Sequence, residues 1–369
     1  MWGQQAAAAP QAFPVQGSFA RGMGLSNLAF KPTAAPGPAE QLACASWDNC
    51  VYTYNVRTDA AGRCSAAQEV GIARLPQPAM DITYGAMNTP YANMAFAACA
   101  DNGVYMVQNG TAVQKIGAFA APVSAVRCVS VSGTPMVVAS GWDRSLKYFD
   151  PRTAAQSGRP AFETQLSERV YCMDAKNSGT GGVLVACTAD RNCHVYDLTR
   201  PQQPILQPAP SALKMAPRCV DVSIDLSGYT VGSVEGRISV VVFNDTNPNA
   251  KKSFAFKCHR GNPKKGDPRV WPVNHIRSTR FGTFASCGAD GLFNFWDKSS
   301  KQRLKVRSGV QQGSAPISAM AINSASTILA FSEGYDWHKG SAHANAFGPP
   351  KLSLYAIPPK DVMPKAPKR

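Results

Sequence analysis

Histidine is scarce in this chain, with five in 369 residues, and acids are outnumbered by bases 23 to 38. No Gly-x-Ser-x-Gly, His-Glu-x-x-His or Gly-Lys-Ser/Thr run occurs. The common signatures of a serine hydrolase, a zinc protease and a phosphate-binding loop are therefore missing. The histidines (194, 259, 275, 338 and 343) are scattered and offer no motif for a nucleophile, base and orienting acid. The chain reads as a non-enzymatic protein. The eleven cysteines are an odd count with no Cys-x-x-Cys spacing, and the histidines do not pair with them at ligand spacing. Neither a disulfide framework nor a metal is expected, and no cofactor. Several cysteines (Cys99, Cys128, Cys187, Cys219) fall in strand-like segments and read as small buried thiols in a reducing compartment. No apolar run approaches the roughly 18 residues of a membrane span, so membrane insertion is not expected. Met1 to Gly17 is Ala/Gln-rich, without the basic and apolar regions of a secretory signal.

What the chain does contain is repetition. Ser140-Gly-Trp-Asp-Arg-Ser-Leu-Lys-Tyr-Phe-Asp150 reads as a strand, a tight turn holding Asp143, and an alternating strand. Related turns carry Asp48, Asp101, Asp190, Glu235, Asp290 and Asp336. The seven acids are separated by 53, 42, 47, 45, 55 and 46 residues, the period of about 40–45 of four-stranded propeller blades, with insertions. A second motif precedes most of these turns, as in Pro78-Ala-Met-Asp-Ile82, Arg218-Cys-Val-Asp-Val222 and Pro316-Ile-Ser-Ala-Met320. It reads as the innermost strand of each blade. The expected fold is all-β, a seven-bladed WD40 β-propeller, whose closure leaves only short sheet edges. The turn acids are expected to be structural.

Residues 1–22 read as a low-complexity N-terminal arm, 23–357 as the propeller and 358–369 as a basic Pro/Lys-rich tail. Within the arm, Phe13 to Val15 either pairs with the last blade or belongs to a disordered segment. Leu25 to Phe30 reads as the inner strand of blade 1. Blade 2 is weak, since Val104 to Val107 lacks a closing Trp-Asp. Residues 199–217 carry five prolines and read as a long surface connection. The tail reads first as solvated, with nuclear import or RNA contact as the alternative.

Charge is concentrated between Lys251 and Arg307, where 14 Lys/Arg face three Asp over 57 residues. Aromatics interleave there: Phe254, Phe256, Trp271, Phe293, Phe295 and Trp296. Cations that neutralise phosphate and rings that stack bases are what single-stranded nucleic acid requires. Phe293 and Phe295 read as blade core; Phe256, Trp271 and Trp296 border loops and fit either role. Arg237 follows a Glu-Gly turn in a strand otherwise small and apolar. It is either an ordinary exposed strand arginine or a fork for a partner carboxylate.

Four segments resemble one family of WD40 propellers, the messenger-RNA export factors of the nuclear pore: Gly232-Ser-Val-Glu-Gly-Arg237, Phe254-Ala-Phe-Lys-Cys-His-Arg260, Gly291-Leu-Phe-Asn-Phe-Trp-Asp-Lys298 and Tyr335-Asp-Trp-His-Lys-Gly340. The likeness runs through about residues 24–369. The first two segments are shared with a sister branch, the mitotic spindle-checkpoint propeller that binds GLEBS-like segments of checkpoint kinases. Asp150-Pro-Arg-Thr153 and Ser46-Trp-Asp48 look closer to that branch; Trp296-Asp-Lys298 and the basic tail look like the export branch. The resemblance implies a nuclear, pore-associated protein that shuttles to the cytoplasm. It implies as partners the GLEBS motif of a GLFG-repeat nucleoporin, paired through Arg237, and single-stranded RNA in messenger ribonucleoprotein. It places Phe256, Trp296, Asp297 and Lys298 at a side pocket and its basic rim, with Lys301 and Arg303 as rim cations of exchanged type. Lysine at 301 keeps the charge and loses the fork.

Overall fold

A computed structural model describes residues 12–365, apart from 21–22, 35–36, 38, 60–63, 180, 244–251, 262–265, 267 and 309–314. Residues 1–11 of the arm, 366–369 of the tail, and Lys251, Lys264, Lys265 and Asp267 of the basic segment lie outside the described residues.

The repeat becomes seven four-stranded antiparallel sheets. Their innermost strands are Leu25–Phe30, Ala79–Tyr84, Val123–Val131, Val170–Ser178, Pro217–Val222, Val273–Ser278 and Ile317–Ile322. Adjacent inner strands pack side by side around a central channel, and the strand of blade 7 meets that of blade 1. The last sheet takes its outer strand from the start of the chain: Phe13, Pro14 and Val15 pair with Leu354, Ser353 and Leu352. The chain therefore enters the ring ten residues before position 23. Blade 2, despite its missing Trp-Asp, is a complete sheet ending in Ala112–Ala118.

The acidic turns have one geometry. The carboxylates of Asp48, Asp101, Asp143, Asp190 and Asp290 each accept the amide two residues on, at 2.9–3.2 Å. The residue between is left-handed in every blade: Asn49, Asn102, Arg144, Arg191, Gly236, Gly291 and Trp337 have φ from +59° to +71°. Asparagine and glycine adopt this region readily; the arginines and Trp337 are held there by the flanking strands. Gly236 is where glycine is needed twice over, since a Cβ there would lie 2.8 Å from the Cys258 carbonyl oxygen.

Seven hydrophobic clusters fill the seams between neighbouring blades. Each blade buries both faces against its own kind, as a half-buried sheet must. Polar groups bind the inner strands as well. Arg127 Nη1 reaches Asp81 at 2.6 Å and its Nε reaches Asp174 at 2.9 Å. Lys176 joins Asp174 to Asp221 at 3.7 and 3.0 Å. Asp221 accepts the Ser278 amide at 3.0 Å, Arg277 donates to Asn27 Oδ1 at 3.2 Å, and Asn27 donates to Asp81. The belt thus runs through blades 1 to 6 and closes on itself.

Two sequence expectations need correction. Residues 199–217 are not only a connection: Pro204–Pro210 is the outer strand of blade 4, placed at the edge where missing N–H groups cost no ladder bond. The tail is not solvated from residue 358. Pro359–Val362 is a short helix; Val362 is buried in the seam of blades 6 and 7, and Asp361 accepts from the Tyr355 hydroxyl at 2.9 Å. Lys365 then docks on blade 6, its amide on Asp297 and its ammonium on Gln302.

Candidate binding surfaces

Alternating strand directions gather the acidic turns and the blade-to-blade connections at one rim, here the upper. The remaining connections lie at the lower rim.

A feature not readable from the sequence shapes the upper mouth. Near its start every inner strand slips register by one residue against its neighbour. Such a bulge re-aims a side chain out of the ladder. The seven residues released are Ser26, Met80, Ser124, Tyr171, Arg218, Asn274 and Ser318, and all seven line one cavity of about 380 Å³ at the mouth. Around this collar stand Trp47, Trp142, Tyr335 and Trp337. Trp142, Tyr171 and Trp337 are 41, 38 and 51% exposed. Aromatics this open, ringing a cavity, mark an interaction surface.

Arg237 lies at the same rim, farther out. It opens the third strand of blade 5, opposite Lys257. The turn before it is stapled by Arg260, which donates to the carbonyls of Gly236 at 3.0 Å and Glu235 at 2.5 Å. Glu235 spends one carboxylate oxygen on the Lys214 amide at 2.8 Å. Its other oxygen lies 3.8 Å from Arg237 Nε, beyond hydrogen-bond reach. That Nε is buried and has no hydrogen-bond partner among the described residues, while the side chain as a whole is 33% exposed. A guanidinium one-third exposed and held by no close ion pair among the described residues suits an incoming carboxylate.

Trp296, Asp297, Lys298, Lys301 and Arg303 gather toward the lower, outer edge of blades 5 and 6, and Phe256, paired with Ile238 nearer the upper rim, meets them from the outer strand of blade 5. Phe256 lies across Trp296 with ring centroids 4.8 Å apart, and Phe254 stacks beside it at 6.0 Å. Lys301 sits 4.7 Å over the Phe254 ring, and Arg303 is exposed on the outer strand opposite Trp296. Lys298 holds Ser223 Oγ at 3.2 Å and Asp225 at 3.5 Å. Burial acts to raise the Asp225 carboxyl, but Ser227 and the Lys298 charge hold it below its ordinary value. Lys298, Lys301, Lys252 and Phe254 line a cleft of about 390 Å³ floored by Val240 to Val242. Phe254 belongs to this cleft and was not among the nominated residues.

Trp296 and Asp297, which the resemblance places at the side pocket, are both buried. Trp296 is 9% exposed and its N–H is spent on Ser286 Oγ at 2.8 Å, so it packs in the seam of blades 5 and 6 rather than offering a free face. Asp297 is 2% exposed and accepts from Ser299 N, Ser300 Oγ and Lys365 N. Burial acts to raise its carboxyl, yet these bonds hold it below the ordinary value. It fixes the turn that carries Lys298 and Lys301, the latter left-handed at φ +54°.

The chain is 35% identical over 345 residues to the poly(A)+ RNA export protein of Schizosaccharomyces pombe, covering 92% of this chain and 90% of that protein. It is 32% identical over 334 residues to the mRNA export factor GLE2 of Chaetomium thermophilum, covering 90% and 87%. The chain belongs to the mRNA export factor family of WD40 propellers. A mitotic checkpoint protein, BUB3.1 of Arabidopsis thaliana, is 38% identical over 219 residues, which cover 58% of this chain and 62% of that protein. No protein-family profile matches the chain.

One constellation in this export-factor propeller could be mistaken for a catalytic centre. His259 Nδ1 bonds Asp290 at 2.8 Å and its Nε2 bonds Ser286 Oγ at 2.9 Å. The sequence does not reveal this alignment, because Cys258-His-Arg260 precedes its partners by about 30 residues. His259 and Ser286 are buried, and the Ser286 oxygen already accepts the Trp296 N–H. No substrate can reach such a hydroxyl. The set Asp290–His259–Ser286–Trp296 instead ties an upper turn to the seam of blades 5 and 6. Among the described residues no group of three His, Cys, Asp or Glu is placed to hold a metal, and no helix is long and apolar enough to cross a membrane.

Proposed function

We propose that this propeller is a non-enzymatic adaptor in messenger-RNA export at the nuclear pore. The upper rim holds a GLEBS-type hairpin of a GLFG nucleoporin, with Arg237 pairing an acidic side chain and the aromatic collar receiving the hairpin's apolar residues. The lower edge of blades 5 and 6 takes single-stranded RNA. The observation that carries the reading is the Arg237 Nε, without a hydrogen-bond partner among the described residues, at the same rim as an open aromatic mouth. The relatives named for RNA export over most of their length support the pathway. The protein would then reside in the nucleus and at the pore, and shuttle to the cytoplasm.

The test is depletion of the protein with parallel scoring of polyadenylated RNA and chromosome segregation, together with mass spectrometry of what the tagged protein captures. Nuclear accumulation of polyadenylated RNA and capture of a GLFG nucleoporin are expected. The likeness to the checkpoint protein favours a second reading, in which the captured partners are checkpoint kinases. Missegregation with normal RNA distribution would establish that reading and remove the first.

RNA binding has its own measurement. If about four phosphates are neutralised, log affinity for a single strand falls against log salt with a slope near −3. A salt-independent complex would remove the nucleic-acid half of the proposal.

A further inference from the structure

The cleft at Phe254 does not end at Lys298. Ser223, Asp225 and Lys298 form its inner wall and are also the outer wall of a second cleft of about 210 Å³, which contains Arg280, Ser278 and Ile224. Ser278 and Ile224 in turn border a third, of about 290 Å³, at the lower mouth of the channel, where Lys176, Arg127 and Arg277 stand. The three clefts lie in series along the lower connections of blades 5 and 6. With strands about 4.8 Å apart, the path from outer to inner strand is about 14 Å.

We propose that these clefts form one radial track for a single-stranded phosphodiester chain, running from the outer edge at Lys301 past Lys298 and Arg280 to the lower channel mouth. The proposal rests on the nucleic-acid reading above and extends it inward. The chemistry alternates along the path. Lys301, Lys298 and Arg280 supply cations at successive steps. Apolar surface lies between them: Phe254, then Ile224, which is 46% exposed. Stacked rings and guanidinium planes hold bases without reading their sequence.

The acids on the path among the described residues are accounted for. Asp221 and Asp174 are buried and engaged by Lys176, by backbone amides and by Ser278 or Arg127. Asp225 is the exception. Its side chain is 60% exposed and occupies Lys298 at 3.5 Å, at the wall between the first two clefts. A phosphate passing that point must displace it. Asp225 therefore acts as a competitor built into the track, and removing its charge should tighten binding. The track lies at the rim opposite Arg237, so the RNA and the hairpin do not compete.

The experiment is fluorescence anisotropy of the full chain with a labelled ten-nucleotide oligouridylate. It compares wild type, Arg280→Glu and Asp225→Asn, with thermal midpoints as the folding control. A 4-thiouridine version of the oligomer is cross-linked and mapped. Arg280→Glu should weaken binding about tenfold and reduce the magnitude of the salt slope by about 1. Asp225→Asn should strengthen binding about threefold, the sign a merely structural role would not give. Cross-links should fall on peptides containing Ile224 and Arg280. Wild-type binding with both variants unchanged, and cross-links confined to Phe254–Lys257, would overturn the track and leave the outer RNA site standing. Failure of the wild-type chain to bind the oligomer would overturn both.

Discussion

Replacing Arg127 by Met should cost about 3–5 kcal/mol of folding stability, the range for removing one partner of a buried ion pair. In a chain of this size that is roughly 4–6 °C of thermal midpoint. Arg127 holds two carboxylates on two neighbouring blades, and both acids are buried. Methionine keeps most of the volume, so the loss reports uncompensated charge rather than a cavity. The pH profile should move as well. Burial acts to raise the Asp174 carboxyl, but Lys176, Arg127 and Arg277 together hold it below its ordinary value. A carboxylate lowered by folding stabilises the native state above its unfolded pKa of about 4 and loses that contribution as pH falls through the folded value. Without Arg127 the folded value rises, so the acid limb of the stability curve should begin at higher pH in the variant. Thermal melts between pH 3 and 7 check both parts. An unchanged acid limb would mean that the belt is not electrostatically coupled. Lys176→Met should cost less, because Asp221 keeps two bonds from Ser278.

The belt also shows which parts of this molecule can be read from its sequence. The seven turns were legible because each places a residue at φ near +65° after an acid, and in five of them that acid accepts the amide two residues on, a purely local demand. The inner strands were legible from their apolar patterning. Blade 2 looked weak because a Trp-Asp ending was used as the marker. Yet the blade needs only its packed strands, from Met94–Cys99 to Ala112–Ala118; in blade 6 the tryptophan instead serves the Ser286 network. The collar was not legible, since a one-residue register slip leaves no mark in composition. Nor was the cleft, whose wall joins Ser223 to Lys298 across 75 residues. Trp296 bordered a loop in the sequence, but a strand end in a propeller faces a seam, and the seam buried it. The tail misled for the opposite reason: among its lysines and prolines, Val362 enters the seam while Asp361 and Lys365 bond Tyr355, Asp297 and Gln302.

The second large effect belongs to Arg237. Arg237→Glu should weaken a synthetic GLEBS-type hairpin by about 30-fold to several thousandfold, the 2–5 kcal/mol that follows loss of one partner from a desolvated charge pair. The variant opposes the incoming carboxylate with one of its own and leaves Glu235 without its neighbouring cation. Arg237→Lys should fall between, since an ammonium keeps the charge but cannot fork. Folding should hardly respond, because Arg237 makes only a 3.8 Å contact with Glu235, and the turn is held by Arg260 and the Lys214 amide instead. Titration calorimetry with the hairpin, a thermal melt and the RNA anisotropy assay separate the outcomes. Loss of hairpin binding with an unchanged melt and unchanged RNA affinity places the contact at the upper rim, independent of the lower track. A melt lowered in step with affinity would make the arginine structural, and the aromatic collar would then have to hold the partner without it.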